Sequence, residues 1–194
     1  MSLFGLDTTY LAVKSGSDPG SMLTRAVRDG DAWVLDGQKR WIGLASIADV
    51  AIIWAKTDEG IRGFVVPTAT PGFTATPIEQ KLGMRASIQC DIELSEVRLP
   101  SAAMLPNAKG LRGPFECLNE ARYGIIWGVM GAARDSYETA VRYSQERLQF
   151  DKPLAGYQLT QEKLVNMALE INKGMLLALQ IGRLKEAGQL KPHH

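Results

Sequence analysis

The spacing of apolar and polar residues divides the chain into two halves. From residue 1 to about residue 104, short runs rich in Val, Ile, Trp and Phe alternate with turn dipeptides such as Asp29-Gly30 and Asp36-Gly37. Runs of this kind, separated by glycine-containing turns, predict short β-strands joined by hairpins. The clearest predicted strands are 49–56, 61–66 and 88–94. We therefore expect residues 1–104 to form a small antiparallel β-barrel or sandwich.

The second half, residues 105–194, has helical periodicity. A loop rich in proline and glycine is followed by apolar residues at helical spacing, and no proline interrupts the chain between residues 121 and 149. This pattern predicts one long helix over that range and a second over 157–187, with Gly188 as its C-cap. A short connection predicts that the two helices pack antiparallel. The expected fold class is α+β, with two long antiparallel helices of an incomplete four-helix bundle after the β domain.

The two helices have predicted inward faces. These are Ala121, Ile125, Val129, Ala133, Tyr137 and Val141 in the first helix, and Leu164, Met167, Ala168, Ile171, Met175, Ala178 and Leu179 in the second. Gly124, Gly128 and Gly131 each cost about 1 kcal/mol relative to alanine, so we expect a helix or a ligand to approach them closely. Two helices also leave wide apolar stripes uncovered. Oligomerisation or the remainder of a longer protein would cover them.

Charge and cysteine content exclude several classes of function. The chain has 194 residues with 22 Lys and Arg against 21 Asp and Glu, a net charge of +1, so we expect no nucleic-acid partner. Its longest apolar stretch is too short for a membrane span of roughly 20 residues. Cys90 and Cys117 lack metal-ligand spacing and fit a reducing compartment. We expect no secretory signal and no metal site, including at the terminal histidine pair.

Five short motifs follow one another in a characteristic order. They are Gly16-Ser-Asp-Pro-Gly20, Lys39-Arg-Trp-Ile42, Lys81-Leu-Gly-Met-Arg-Ala-Ser87, Phe115-Glu-Cys-Leu-Asn-Glu-Ala-Arg-Tyr-Gly124 and Arg147-Leu-Gln-Phe-Asp-Lys-Pro-Leu154. Together they resemble the acyl-CoA dehydrogenase family, and the run Leu118-Asn-Glu-Ala-Arg-Tyr-Gly-Ile-Ile-Trp-Gly128 resembles most its glutaryl-CoA dehydrogenase branch. The resemblance implies that the chain carries the middle β domain and the first two helices of the C-terminal bundle.

The resemblance also implies an activity. The family uses FAD for α,β-dehydrogenation of an acyl-CoA, and the glutaryl branch adds decarboxylation to crotonyl-CoA. The family's catalytic glutamate would lie beyond residue 194, so we assign no catalytic base and expect the chain to be inactive alone. The implied partners are glutaryl-CoA or another acyl-CoA, electron-transferring flavoprotein and further copies in a homotetramer. The implied location is the cytoplasm in a bacterium or the mitochondrial matrix in a eukaryote.

One set of cofactor residues follows the first helix. Arg147 resembles the family arginine that binds the FAD diphosphate, and a guanidinium suits this role because it donates paired hydrogen bonds to phosphate. Phe150 resembles the residue that packs on adenine, and Gln158 resembles an amide that contacts the cofactor. In the family these groups serve the FAD of a neighbouring subunit. The alternative for Arg147 is a solvated arginine that interacts with the helix dipole.

A second set of cofactor residues belongs to the β half, and here the chain departs from the family pattern. The residues are Phe4, Gly5 and Leu6 in a flavin loop, and Trp41, Ile42 and Gly43 beside the isoalloxazine ring. Gly43 stands where the family has threonine, which removes a hydroxyl donor near flavin N5. Residues 7–14 replace the Thr-Glu-Pro signature of the flavin loop. Both departures predict weakened flavin binding. For Trp41 the alternative is a core tryptophan at the end of a strand.

The predicted acyl-CoA residues lie mainly at the start of the first helix. They are Ser17, Phe115, Leu118, Asn119 and Arg122. An ordinary turn would also explain Ser17, and Arg122 would alternatively form an ion pair with Glu116 or Glu120. A second hypothesis for the whole chain is a non-catalytic scaffold or oligomerisation module with the same fold. Near-neutral charge and the run after Leu118 disfavour an acyl-CoA oxidase or a DNA-associated relative.

Overall fold

The structure is a computed structural model, and it describes residues 18–191. The predictions for Phe4, Gly5, Leu6 and Ser17 therefore lie outside the described residues. The chain divides into two compact units, of which the first ends at Leu118 and the second begins at Asn119. We call the described part of the first the sheet unit and that of the second the helix pair, and we describe each by itself.

The sheet unit is built on a seven-stranded sheet in the described part of the chain. Its strands are β1 (Arg25–Asp29), β2 (Ala32–Gly43), β3 (Val50–Thr57), β4 (Gly60–Pro67), β5 (Phe73–Pro77), β6 (Gln89–Pro100) and β7 (Met104–Lys109). Their order across the sheet is β5-β6-β2-β1-β3-β4-β7. The three clearest predicted strands are confirmed as β3, β4 and β6, and the α+β class is confirmed.

Two features of the sheet differ from the sequence expectation. The sheet is mixed, because β1 pairs with β3 in parallel at Arg25 and Lys56 while the other described pairings are antiparallel. The sheet also continues past residue 104, because β7 pairs with β4 through Phe64–Met104 and Arg62–Lys109. Division of the chain into domains at residues 104 and 105 stays a prediction.

A continuous hydrophobic core stabilises the sheet unit. Alternate residues of the central strands are buried, as a half-buried antiparallel sheet requires, and the Trp33 and Phe64 rings meet edge to face with centroids 5.4 Å apart. Core members from six strands include Ala26, Trp33, Leu35, Ile42, Ile53, Phe64, Val66, Phe73, Cys90, Ile92, Leu94, Val97 and Leu99. Trp54 forms a smaller cluster with Met22. Gly113 lies against Trp54, since a Cβ there would be 2.7 Å from the indole.

Two long helices follow the sheet: α1 (Arg112–Glu146) and α2 (Gln158–Glu186). The last turn of α2 forms a Schellman motif, in which Gly188 donates to the Lys185 carbonyl and Gln189 to the Leu184 carbonyl. Gly188 has φ of 65°, a left-handed conformation that glycine adopts without steric cost. The predicted C-cap is confirmed.

The helix pair packs antiparallel, as predicted. Tyr123 of α1 lies against Gly182 of α2, and Met130, farther along α1, lies against Gly174, which comes earlier in α2. The glycines that permit close approach are therefore those of α2. For Gly124, Gly128 and Gly131, the expectation that a helix of the described chain approaches them is wrong, because a Cβ at any of them would meet nothing within 4 Å in the structure. Approach by a ligand stays a prediction.

The predicted inward face of α1 was also wrong in its first half. Ile125 and Val129 are 62% and 52% exposed, and Ala121 is exposed as well. A spacing of four residues advances about 40° beyond a full turn at each step, so the predicted stripe turns by about 200° over its length. The observed seam alternates steps of three and four residues: Tyr123, Ile126, Met130, Ala133 and Tyr137 are half-buried.

The face of α2 was predicted more accurately. Ala178 is buried, and Leu164, Met167, Ala168, Ile171 and Met175 are half-buried, whereas Leu179 is 43% exposed. A second apolar face of α2 is open, and its most exposed members are Leu159, Val165, Leu169, Leu176 and Leu177. Both helices therefore keep uncovered apolar surface, as expected for members of a larger bundle.

Candidate functional site

A small hairpin joins the two helices and carries most of the predicted cofactor residues. Its strands are β8 (Leu148–Gln149) and β9 (Lys152–Pro153), which pair antiparallel. Phe150 and Asp151 form the two-residue loop, with φ of 51° and 57°. Positive φ at both central positions is the requirement of a type I′ turn, which matches the twist of the flanking strands. A left-handed conformation is costly for phenylalanine, and such strain is often found at functional sites.

Hydrogen bonds fix this hairpin to the helix ends. The Leu154 N–H donates to the Arg147 carbonyl at 3.0 Å. The Tyr157 hydroxyl donates to the Gln149 carbonyl at 2.7 Å, and the Lys152 ammonium lies 5.0 Å from the centroid of the Tyr157 ring. These contacts connect the hairpin backbone to the residues that lead into α2, so the side of the hairpin on which Phe150 lies is defined.

The side chains of this connection are available to a ligand. Phe150 is 85% exposed, so its ring contributes almost nothing to a core. Arg147 is exposed, and its guanidinium has no ion-pair or hydrogen-bond partner among residues 18–191. Gln158 is exposed at the first residue of α2. A free guanidinium, an unpacked aromatic ring and an amide fit the diphosphate and adenine of FAD chemically.

The second predicted cofactor segment lies at the end of β2. The pairing between β2 and β6 is irregular from Lys39 to Ile42, and Trp41 within this interval has φ of 64°. As a result Ile42 faces the core at 5% exposed, while Trp41 is 45% exposed. The pairing resumes at Ile42, opposite Cys90, and continues at Gly43, opposite Gln89. The alternative of a core tryptophan is therefore wrong, and the indole is available to a ligand.

The predicted acyl-CoA residues lie along the first turns of α1, on both sides of the division between the units. Phe115 is 42% exposed and Leu118 is half-buried in the sheet unit. Asn119 and Arg122 belong to the helix pair, where Arg122 Nη1 donates to Asn119 Oδ1 at 3.4 Å. All four residues are at least partly accessible, as a binding role requires.

The alternative partners of Arg122 are occupied elsewhere. Glu116 accepts from Arg112 at 2.8 Å, and Glu120 accepts from Lys185 at 2.5 Å. Lys185 also lies 5.2 Å from the centroid of the Tyr123 ring. Arg122 is thus not held by an ion pair within the described residues. Both glutamates are thus ion-paired with other cations, and the absence of a catalytic residue in this chain stays a prediction.

Sequence reasoning missed a buried lysine next to the Trp41 segment. Lys39 pairs with Ile92, and paired residues point to the same face of a sheet, so its side chain enters the core. Lys39 is 0% exposed, and its ammonium has no hydrogen-bond partner in the described part of the chain. Burial lowers the pKa of Lys39 from 10.5 to about 8. No sequence signal distinguishes this lysine from the exposed Arg40 beside it.

Residues 18–191 contain neither a metal-binding cluster nor a membrane-spanning helix. No cluster of three His, Cys, Asp or Glu side chains is arranged to hold a metal ion there. The helices in this range are not apolar enough over the length that would be needed to span a membrane.

Comparison with known families identifies the chain. Residues 13–97 match the acyl-CoA dehydrogenase middle domain, and residues 108–194 match the acyl-CoA dehydrogenase C-terminal domain. The chain belongs to the acyl-CoA dehydrogenase family, whose members are FAD-dependent oxidoreductases.

Individual relatives agree with this assignment. Glutaryl-CoA dehydrogenase from Mycobacterium smegmatis superposes with a TM-score of 0.93 and 56% identity, over 95% of this chain and 48% of that one. A second structure of that enzyme, in complex with FADH2, gives the same values. The human mitochondrial short-chain specific acyl-CoA dehydrogenase is 36% identical over 89% of this chain and 43% of its own length. The chain thus spans about half the length of the relatives it matches.

Proposed function

We propose that this chain is the flavin- and acyl-CoA-binding part of a glutaryl-CoA dehydrogenase. The observation that carries the proposal is the hairpin between the helices, which presents an unpaired Arg147 and an exposed, conformationally strained Phe150. Neither side chain contributes to the core of its own unit. A diphosphate and a purine are the ligand groups that match them.

The glutaryl assignment depends on the comparison of identities. The chain is 56% identical to the mycobacterial glutaryl-CoA dehydrogenase and 36% identical to the human short-chain enzyme. This difference favours the substrate named for the first. The reaction we propose is α,β-dehydrogenation of glutaryl-CoA followed by decarboxylation to crotonyl-CoA.

The chain's own residues would bind and orient the reactants. Arg147, Phe150 and Gln158 would hold the diphosphate and adenine of the FAD of a neighbouring copy. Trp41 to Gly43 would face the isoalloxazine ring of the FAD bound by this chain, and FAD would supply the hydride acceptor. Phe115 to Arg122 would face the acyl-CoA. No base for removal of the α proton is assigned, so we propose that the chain alone does not turn over.

The remaining proposals concern partners and location. Open apolar faces on α1 and α2 favour assembly with further copies, in a tetramer as in the family. Electron-transferring flavoprotein would accept the electrons. The proposed compartment is a bacterial cytoplasm or a mitochondrial matrix, both of which keep Cys90 and Cys117 reduced.

A second candidate function is a scaffold without flavin chemistry. Gly43 favours it, because the family's threonine hydroxyl is missing beside the proposed flavin site. The open apolar faces suit an assembly module equally well. The two candidates differ in ligand binding, since a scaffold has no need of FAD.

Spectroscopy combined with mass measurement tests the proposal. The purified chain is titrated with FAD and, separately, with glutaryl-CoA and butyryl-CoA, while its oligomeric state is measured by light scattering. The proposal expects binding of FAD and tighter binding of glutaryl-CoA than of butyryl-CoA. An assembled chain that binds neither FAD nor acyl-CoA would favour the scaffold, and equal affinity for the two thioesters would contradict the glutaryl assignment alone.

A further inference from the structure

Arg40 occupies a position beside the candidate flavin site that the proposed reaction does not use. Its guanidinium carbon lies 5.5 Å from the centroid of the Trp41 ring, a distance typical of a cation–π contact. Its Nη1 lies 3.5 Å from Asp91 Oδ2 on the neighbouring strand β6. Arg40 therefore connects the exposed indole of β2 to a carboxylate of β6.

The Trp41 indole stands on an irregular, half-exposed part of the strand. The irregular pairing from Lys39 to Ile42 places Trp41 outside the regular ladder, with φ of 64° and 45% of its surface exposed. A side chain on a bulged, half-exposed position has few core contacts to fix its rotamer. The guanidinium over the ring supplies a contact that the sheet does not.

The Asp91 carboxylate is in turn committed to Arg40. Its Oδ1 atom is buried and has no hydrogen-bond partner in the described part of the chain. The ion pair through Oδ2 is thus the carboxylate's one polar contact in the described structure, and it holds the guanidinium against the sheet. Loss of Arg40 would release both the indole and the carboxylate.

We propose that Arg40 is a positioning residue for flavin binding, because it fixes the Trp41 indole in the orientation that faces the isoalloxazine ring. The inference rests on the proposed function. It adds a residue that touches neither the flavin nor the acyl-CoA and acts through Trp41. The expected contribution is modest, since a half-exposed cation–π contact changes affinity by about two- to fivefold.

The chain contains a matched control for this arrangement. Arg28 lies 5.8 Å from the centroid of the Trp33 ring, so a second arginine contacts an indole in the same sheet. Trp33 is only 6% exposed and packs in the core, so it has no ring face to offer a ligand. Replacement of Arg28 removes the same kind of contact at a place where no flavin is proposed.

The test compares Arg40→Leu, Arg40→Lys and Arg28→Leu in the full chain with Trp127→Phe as background. Replacement of Trp127 removes the other exposed tryptophan, and Trp33 and Trp54 are only 6% and 2% exposed. Quenching of tryptophan fluorescence then reports mainly on Trp41. The first readout is acrylamide quenching without ligand, which reports the mobility and exposure of Trp41. The second is the FAD dissociation constant.

The proposal expects Arg40→Leu to increase quenching and to weaken FAD binding by about two- to fivefold, with Arg40→Lys in between and Arg28→Leu without effect. If the parent binds FAD and Arg40→Leu behaves like Arg28→Leu in both readouts, the positioning role is overturned while the proposed function stands. If the parent binds no FAD, both fail. Circular dichroism of each variant verifies that the fold is intact.

Discussion

The sheet unit and the helix pair differ in how completely each buries its own apolar surface. In the sheet unit, Leu35, Ile53, Phe64, Val66 and Val97 are 0% exposed. In the helix pair, Ala178 is the one apolar residue that is buried among those described. By contrast, more than half of the surface is exposed for Ile125 of α1 and for Leu159, Leu169, Leu176 and Leu177 of α2. The comparison indicates that the sheet has a core complete in itself, whereas the two helices leave apolar surface that they do not cover for each other.

The strongest test of this difference is truncation of one large apolar side chain in each unit. Phe64→Ala removes a fully buried ring and should lower the free energy of unfolding by about 3–5 kcal/mol. Leu169→Ala, on a position 55% exposed, should change it by less than about 0.5 kcal/mol. Urea unfolding followed by circular dichroism measures both. An equal loss of unfolding free energy in the two variants would contradict the claim that only the sheet unit buries its apolar surface completely.

A second test uses the unpartnered ammonium group of Lys39 in the sheet core. Lys39→Met replaces an unpartnered buried amine by an apolar side chain and should stabilise the sheet unit by about 3 kcal/mol at pH 7, since burial lowers the lysine pKa from 10.5 to about 8. Between these values the unfolded chain binds more protons than the folded chain. The stability of the parent therefore rises with pH across this window.

The pH dependence makes this prediction specific. The advantage of Lys39→Met should be full below pH 8 and should disappear by about pH 10.5. Lys56→Met, on a partly exposed position of β3, is the control for replacement of a lysine by methionine in the same sheet. Thermal melts at several pH values measure the effect. A difference in stability between parent and Lys39→Met that stays constant with pH would show that burial does not lower the pKa of Lys39.

The close contact within the helix pair gives a smaller effect. Gly174→Leu forces Met130 out of its place and should destabilise the pair by about 1–3 kcal/mol. Gly128→Leu is the matched control, because a side chain there meets open space and improves helix propensity by about 1 kcal/mol. Helical ellipticity on heating distinguishes them. Destabilisation by Gly128→Leu would mean that its face is covered in solution.

The smallest effect on stability should come from the open face of α2. The double change Leu169→Glu and Leu176→Glu alters two exposed residues and should change the free energy of unfolding by less than about 0.5 kcal/mol. It should nevertheless reduce self-association, because an open apolar face favours contact with another copy. Sedimentation velocity measures the assembly. Gln180→Glu is the control, and unchanged assembly in the double variant would argue that another surface joins the copies.

The sequence predicted the elements better than their arrangement. Strands β3, β4 and β6 followed from local apolar runs and turn residues, and the C-cap at Gly188 followed from residue type. The parallel pairing of β1 with β3 has no local signature, because it joins segments that are distant in sequence. The face of α1 was misjudged because a strict four-residue spacing does not follow one side of a helix.

Part of the candidate site could be predicted from short sequence motifs. The order of these motifs predicts Arg147, Phe150 and Trp41 as cofactor residues, and all three side chains are accessible in the structure. The left-handed backbone at Phe150 and Trp41 could not be foreseen, since neither residue type favours it. Lys39 and Arg40 are adjacent and similar in charge, and only the register of β2 against β6 separates a buried residue from an exposed one.

The most direct test of the central claim measures FAD binding by Arg147→Ala beside Arg134→Ala. Arg134 lies on α1, the helix that ends just before Arg147, and pairs with Glu138 at 2.7 Å, so its replacement removes an equal charge away from the hairpin. Hydrogen bonds from a charged donor contribute about 1.5–3 kcal/mol, so Arg147→Ala should weaken FAD binding by at least about tenfold while Arg134→Ala leaves it unchanged. Equal affinities of the two variants for FAD would contradict the claim that Arg147 binds the diphosphate.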